Sequence, residues 1–94
     1  MGKIGNKCPL VMVEWVDSAQ PKAAWEYLAD LSAGDSIKCV SVGWLVAKDN
    51  RNVRLAPNMG AINDPGSLQV SGVITIPVKC IAKITRLREP RIRP

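Results

Sequence analysis

The chain has 94 residues, of which 47% are hydrophobic and 22% charged, and its formal net charge is +5. This length leaves no room for a second domain and limits the core, because so short a chain buries only ~60 to 65% of its unfolded surface. The absence of His removes the commonest general base and metal ligand, which argues against an enzyme and against a metal site. We therefore expect a small non-enzymatic protein that associates with copies of itself.

The first predicted elements are a strand and a helix. Residues 8–16 form a short apolar run rich in β-branched and aromatic side chains, which predicts a strand. Asp17 and Ser18 end this run, and Pro21 shortly after them is typical of the first turn of a helix that Gly34 would end. The apolar residues in between have helical spacing: Ala24, Trp25, Leu28 and Leu31. We predict one helix of about three turns that packs on the sheet through its Trp.

The next segment predicts a long strand, a turn and a short second strand. Residues 36–46 are dense in β-branched side chains with Gly43 inside the run, which is typical of a strand bent at a glycine. Residues 48–52 have the composition of a turn. The run NVRLAP then predicts a short return strand that Pro57 ends, and residues 58–67 are predicted to form a loop with an Asp-Pro-Gly turn.

Two further strands are predicted on either side of Pro77, the first ending with VITI and the second reading CIAKITRL. Because Pro cannot donate a ladder hydrogen bond, we expect a tight crossover there. The elements together predict a mostly β fold, a small five-stranded SH3-like barrel with one short helix between strands 1 and 2. The alternative is an open α+β sheet with the helix on one face. Residues 1–88 would form the domain and residues 89–94 a basic tail.

Two segments resemble the sequence motifs of Sm-like (Lsm) proteins, a family of small β-barrels. In GWLVAKDNRNVRL, residues that fit the first Sm motif are Gly43, Leu45, Asp49, Asn52 and Leu55. In IPVKCIAKI, the apolar positions of the second Sm motif are matched by Ile76, Ile81 and Ile84. The resemblance implies an Sm-like barrel with a one-turn crossover between strands 4 and 5.

The chain also resembles small bacteriophage and prophage proteins that share a strand ending in Trp, a helical insert and an SVGWL run. Sm-like architecture implies a homo-oligomeric ring, in which an edge strand of one subunit pairs with an edge strand of the next. Two features depart from the family. The helical segment follows strand 1 instead of preceding it, and the Arg-Gly that helps Sm-like proteins to hold a uridine is replaced by Pro77-Val78.

The candidate ligand site is the turn between strands 2 and 3. The Sm-like resemblance implies that a ligand would contact Asp49, Asn50, Arg51 and Asn52, with Lys79 across the barrel mouth. Asn can both donate to and accept from a base edge, and Arg can reach a phosphate. The alternative interpretation is a turn whose hydrogen bonds are satisfied by its own Asp and Asn side chains.

The charge pattern adds two further hypotheses. Residues 79–94 carry six basic and one acidic side chain, whereas residues 1–78 are neutral. Four arginines at this end are candidate phosphate contacts, with a merely solubilising tail as the alternative: Arg86, Arg88, Arg91 and Arg93. Within the neutral part, residues 8–36 are mostly acidic and residues 37–54 mostly basic. This segregation favours head-to-tail contact between identical subunits, with an ordinary mixed surface as the alternative.

The aromatic and cysteine residues are few. The tryptophans are predicted to lie in the core or at a subunit interface, and the third is also a candidate stacking platform: Trp15, Trp25 and Trp44. The cysteines are odd in number and lack a C-x-x-C pair, which predicts free thiols in a reducing compartment: Cys8, Cys39 and Cys80. No apolar run approaches the ~18 residues of a membrane span, so we predict a cytoplasmic protein that does not contact a membrane.

These features predict a non-enzymatic, ring-forming Sm-like module that needs no cofactor and binds RNA or a smaller nucleotide. The motif spacing and the charge distribution favour this function. The alternative is a phage-type host-takeover or protein-interaction module that blocks a bacterial protein or sequesters a signalling nucleotide. The small size and the missing Arg-Gly favour the alternative.

Overall fold

The computed structural model describes residues 8–19, 21, 23–31 and 34–90. They form a five-stranded antiparallel sheet and a separate two-stranded ribbon. The strands are, in chain order, β1 (Leu10–Asp17), β2 (Ile37–Lys48), β3 (Asn52–Ala56), β4 (Asn58–Gly60), β5 (Gln69–Ser71), β6 (Ile74–Pro77) and β7 (Ile81–Arg86). Helical structure within the described ranges is limited to single 3-10 turns at Leu28–Asp30, Pro65–Ser67 and Val78–Cys80. The predicted mostly β class is confirmed.

The strands of the large sheet lie in the order β6-β3-β2-β1-β7. β1, β2, β3 and β6 form a meander, and β7 returns to pair with the free side of β1. β6 and β7 are therefore the two edge strands, and within the described part of the chain they do not pair with each other. The 3-10 turn Val78–Cys80 joins them directly after Pro77, where the sequence predicts a crossover.

This short crossover requires the sheet to curve. Four residue steps separate Pro77 from Ile81, and four steps of extended chain span at most about 14 Å. The outer strands of a flat five-stranded sheet would be about 19 Å apart, because neighbouring strands are separated by about 4.8 Å. The sheet is therefore bent in the direction of a barrel, with its two edges brought toward each other but unpaired.

The hydrophobic core occupies one face of the sheet, to which alternate strand positions contribute. Its central members are each at most 3% exposed: Val11, Val13, Val53, Leu55 and Ile76. Partly buried side chains pack around them: Trp15, Leu45, Ile74, Val78, Cys80, Ile81 and Ile84. The core is therefore small and built from aliphatic residues of β1, β3 and β6. Side chains of β7 and the crossover pack against it.

The segment between β1 and β2, residues 18–36 and here called the arm, does not form the predicted helix. Its described residues contain one 3-10 turn, at Leu28–Asp30, and every one of them is exposed. The predicted packing of Trp25 on the sheet is also wrong, because Trp25 is 101% exposed. A helix of about three turns is marginal in water unless an apolar face packs against the rest of the protein. Helical spacing alone therefore does not hold the arm in a helix.

A second correction concerns residues 58–67, which are predicted as a loop. The hairpin formed by β3 and β6 continues into the ribbon β4–β5, in which Met59 lies opposite Val70. Pro57 and Gly72 separate the two hairpin halves, and Gly72 has a positive φ of 72°. The ribbon strands are only three residues long, so their alternation is too short to be recognised in the sequence.

Gly43 in the middle of β2 is buried because β3 passes close to it. A Cβ at this position would lie 3.0 Å from the backbone oxygen of Ala56. The predicted irregularity of this strand occurs slightly later, since the β2–β3 register shifts between Leu45 and Ala47. Gly43 therefore permits close approach of two strands, and the bulge beyond it redirects the end of β2.

We predict that Gly43→Ala lowers the free energy of unfolding by about 1–3 kcal/mol, because the added methyl group meets rigid backbone. Gly34→Ala is the matched control, since nothing lies within 4 Å of a Cβ at that position. We expect the control to stay within about 0.5 kcal/mol of the parent protein. Urea unfolding followed by circular dichroism measures both, and equal stability of the two variants would contradict the close approach.

We also predict that Leu55→Ala lowers the free energy of unfolding by about 2–5 kcal/mol, because Leu55 is 1% exposed and its removal leaves a cavity. Ile62→Ala, in the turn of the ribbon where the side chain is 37% exposed, should cost much less. Thermal unfolding of both variants at the same protein concentration tests the assignment of the core. A similar loss at the two positions would show that the core lies elsewhere.

Candidate functional site

The turn between β2 and β3 is built around the carboxylate of Asp49. Its Oδ1 accepts hydrogen bonds from the backbone N–H groups of Arg51 and Asn52, both at 2.7 Å. The backbone N–H of Asp49 donates to the carbonyl of Asn52 at 3.0 Å and closes the turn. These bonds agree with the alternative interpretation of the sequence, in which side chains of the turn satisfy the hydrogen bonds of its own backbone. Asp49 therefore shapes the turn and leaves the outward side chains to meet a ligand.

These hydrogen bonds also change the acidity of Asp49. The N–H of Asn52, followed by that of Arg51, lowers the pKa of the Asp49 carboxyl below its ordinary value of 3.8, and weak desolvation opposes this. Two backbone donors stabilise the charged form of the carboxylate directly. Asp49 is consequently ionised at neutral pH, and its negative charge is directed at the backbone of its own turn.

The β2–β3 turn contacts the crossover between β6 and β7. The backbone N–H of Val78 donates to the carbonyl of Arg51 at 2.8 Å, and Asn52 lies opposite Pro77 in the β3–β6 ladder. Lys79 follows Val78 directly in the 3-10 turn. The tertiary structure thus joins, at Arg51 and Val78, two segments that are 27 residues apart in the chain. Whether Lys79 shares a ligand with the turn at 49–52 stays a prediction.

The side chains at this junction are available to solvent. Asn50, Arg51 and Lys79 are exposed, and Asn52 is half-buried. No hydrogen bond between any of these four side chains and another described residue is present. Lys48 at the end of β2 is also exposed and adds a third cation, which the Sm motif does not mark as a ligand position. Two amides and three cations can bind a phosphate and an adjacent polar ring.

The arginines near the C-terminus lie apart from this junction. Arg86 ends β7, and Arg88 follows in chain that is held to β1 by a hydrogen bond from the N–H of Leu87 to the carbonyl of Leu10, at 2.8 Å. Both arginines are exposed. Arg86 is about 17 Å along β7 from Ile81, which adjoins the crossover. The other two predicted contacts, Arg91 and Arg93, lie outside the described residues.

The three tryptophans have different surroundings. Trp15 packs on the core, and its Nε1 donates to Ser41 Oγ at 3.0 Å. Trp44 is half-buried, and its Nε1 donates to Glu89 Oε1 at 3.2 Å. That bond fastens the beginning of the predicted tail to β2 and leaves Trp44 less free to act as a stacking platform. Trp25 is fully exposed on the arm.

The remaining chemistry of the described residues is sparse. Cys8, Cys39 and Cys80 are free and half-buried. Among the described residues there is no group of three or more Cys, Asp or Glu side chains that could hold a metal ion. In the same residues, no helix is long and apolar enough to cross a membrane. The junction of the β2–β3 turn with the crossover is thus the best-defined candidate site.

Comparisons with known proteins give no relative for this chain. No family model matches it, and neither a curated protein nor a solved structure does. The resemblance to Sm-like proteins therefore stays a prediction that depends on the two motifs.

We predict that the Asp49 carboxylate makes the stability of the turn depend on pH. Because the pKa in the folded state is below the ordinary 3.8, this contribution is present above that pH and is lost as the pH falls through the folded value. Asp49→Asn keeps an oxygen that can accept from both N–H groups but cannot be protonated in this range. The free-energy difference between parent and variant, measured by urea unfolding from pH 7 to pH 3, should therefore move in favour of the variant below pH 4. A difference that does not change with pH would contradict the assignment.

Proposed function

We propose that this protein is a non-enzymatic, self-associating Sm-like module that binds RNA or a smaller nucleotide at the junction of the β2–β3 turn and the crossover. The observation that carries the proposal is the hydrogen bond from the N–H of Val78 to the carbonyl of Arg51, at 2.8 Å. It joins the backbones of the two turns that carry Arg51 and Lys79, and both of these side chains are exposed.

The charges at the junction suit a phosphate group. Lys48, Arg51 and Lys79 supply three positive charges, and the only acidic residue in the two turns is Asp49. Because one oxygen of Asp49 accepts two backbone N–H groups, its charge is partly balanced within the turn. The net positive junction would attract a phosphate, while the Asn50 and Asn52 amides could contact a base edge.

The sheet topology supports the Sm-like and self-associating parts of the proposal. The one-turn crossover occurs between Ile76 and Ile81, two of the residues that match the second Sm motif. β6 and β7 each have one unpaired edge in the described residues, and unpaired edges favour pairing with another chain. The small core is a second reason to expect association, since short chains bury little surface alone.

A phage-type protein-interaction or host-takeover module is the second candidate function, and the exposed arm favours it. Trp25, Tyr27 and Leu28 are each at least 82% exposed, which is unusual for such residues on a protein without a partner. Pull-down from a bacterial lysate with and without nuclease separates the two functions. A protein retained after nuclease treatment would favour this second candidate over RNA binding.

We predict salt-dependent binding of short RNA that requires the junction. Fluorescence anisotropy with U-rich and A-rich oligonucleotides should show that affinity falls as salt rises, because cations on the protein displace counterions from phosphates. Arg51→Ala and Lys79→Ala should each weaken binding and reduce the slope of log affinity against log salt by about 0.7.

Arg54→Ala is the matched control, because it removes one exposed positive charge from β3, outside the residues of the junction. We expect it to leave the slope unchanged when the oligomeric mass of each variant is the same. Binding that does not depend on salt would reject the nucleic-acid function. An equal effect of all three substitutions would instead show general charge attraction and no defined site.

A further inference from the structure

The arm presents an apolar and acidic surface that the described residues of its own chain do not cover. Trp25 is 101% exposed, Tyr27 82%, Leu28 85% and Leu31 56%. Two carboxylates stand among them, Glu26 and Asp30, and both are exposed. Burying large aromatic side chains is among the strongest driving forces for association, so their joint exposure indicates an interaction surface.

The outer face of β1 and β2 is a second uncovered apolar surface. Because Val11 and Val13 point into the core, Met12 and its cross-strand neighbours lie on the opposite side of the sheet. Val40 is 62% exposed and Val42, which pairs with Met12, is 53% exposed. These side chains form a short apolar stripe along the middle of the sheet, here called the outer stripe.

Basic side chains flank the outer stripe. Lys83 on β7 lies opposite Glu14, which in turn lies opposite Val40, and Lys38 lies opposite Val16. Both lysines are exposed, whereas Glu14 is half-buried. The arm and the outer stripe are thus complementary in two respects. Both expose apolar side chains, and the two lysines outnumber Glu14 beside the stripe whereas Glu26 and Asp30 on the arm are both acidic.

We propose that the arm of one copy of this chain docks on the outer stripe of a second copy, in a head-to-tail contact. Trp25, Tyr27 and Leu28 would cover Val40 and Val42, and Glu26 and Asp30 would meet Lys38 and Lys83. The proposal deepens the self-association in the proposed function and depends on it. Each copy would then use two different surfaces, the arm and the outer stripe, and such a head-to-tail contact forms a ring when the rotation between neighbouring copies closes.

The amount of surface is appropriate for such a contact. Each buried aromatic side chain removes about 150–250 Å² from water, so Trp25 and Tyr27 alone would contribute roughly 300–500 Å². Stable interfaces bury about 800 Å² on each partner. The arm therefore supplies a large part of an interface, and pairing of the edge strands β6 and β7 could supply the rest.

A charge-exchange experiment tests the proposal. One variant carries Glu26→Lys with Asp30→Lys on the arm, and the other carries Lys38→Glu with Lys83→Glu beside the outer stripe. We expect each variant alone to associate at least tenfold more weakly than the parent chain in sedimentation velocity at low salt. An equimolar mixture should associate at least tenfold more tightly than either variant alone and so regain the higher mass, because each arm then meets a face of opposite charge in the other variant.

Two further variants complete the test. Trp25→Ala should weaken association at least tenfold at both low and high salt, because it removes an apolar contact. Lys48→Glu, a charge reversal at the far end of β2, should keep the parent's mass. Circular dichroism of every variant confirms that the sheet is intact.

Four outcomes would overturn the arm contact. The parent chain could be a monomer at all concentrations, which would also remove the ring from the proposed function. Both charge variants could keep the parent's mass, in which case the edge strands alone hold the oligomer. The mixture could fail to regain the higher mass, which would mean that the arm contacts the sheet of its own chain or another protein. Trp25→Ala could leave association unchanged.

RNA titration of the arm variant separates the proposed arm contact from the proposed RNA binding, because the junction residues of this variant are unchanged.

Discussion

The three-residue crossover between β6 and β7 is the constraint on which the rest of this structure depends. It is too short to connect the edges of a flat five-stranded sheet, so it bends the sheet around a small aliphatic core. The same turn donates the Val78 N–H to the carbonyl of Arg51 and so fastens the β2–β3 turn to it. Curvature, core and candidate site therefore depend on one short segment that begins after Pro77.

The sheet separates two kinds of surface. The junction of turns is polar, cationic and shaped by the Asp49 hydrogen bonds, so it suits a small charged ligand. The arm and the outer stripe are apolar with opposite flanking charges, so they suit a protein contact. Because the two surfaces use different residues, substitutions can test the proposed ligand binding and the proposed association separately.

Part of the fold could be predicted because it follows from local patterns. Alternating β-branched residues predicted β1, β2 and β3, and Pro77 predicted the break between the last two strands of the sheet. The helix prediction was wrong because the spacing of Ala24, Leu28 and Leu31 describes an apolar face that needs a surface to pack on, and within the described ranges no residue covers it. The ribbon β4–β5 was missed because three-residue strands carry too little pattern.

The sequence by itself determined the strand-forming runs, the composition of the turn at 49–52 and the concentration of positive charge after residue 78. Tertiary structure alone decided that the crossover at Val78 is hydrogen-bonded to Arg51, that Trp44 is bonded to Glu89, and that Arg86 lies apart from the junction. The physical reason is that strand formation and turn formation depend on neighbours in the chain. Which turns meet depends on strand pairing between distant residues, and the exposure of the arm depends on whether any surface covers it.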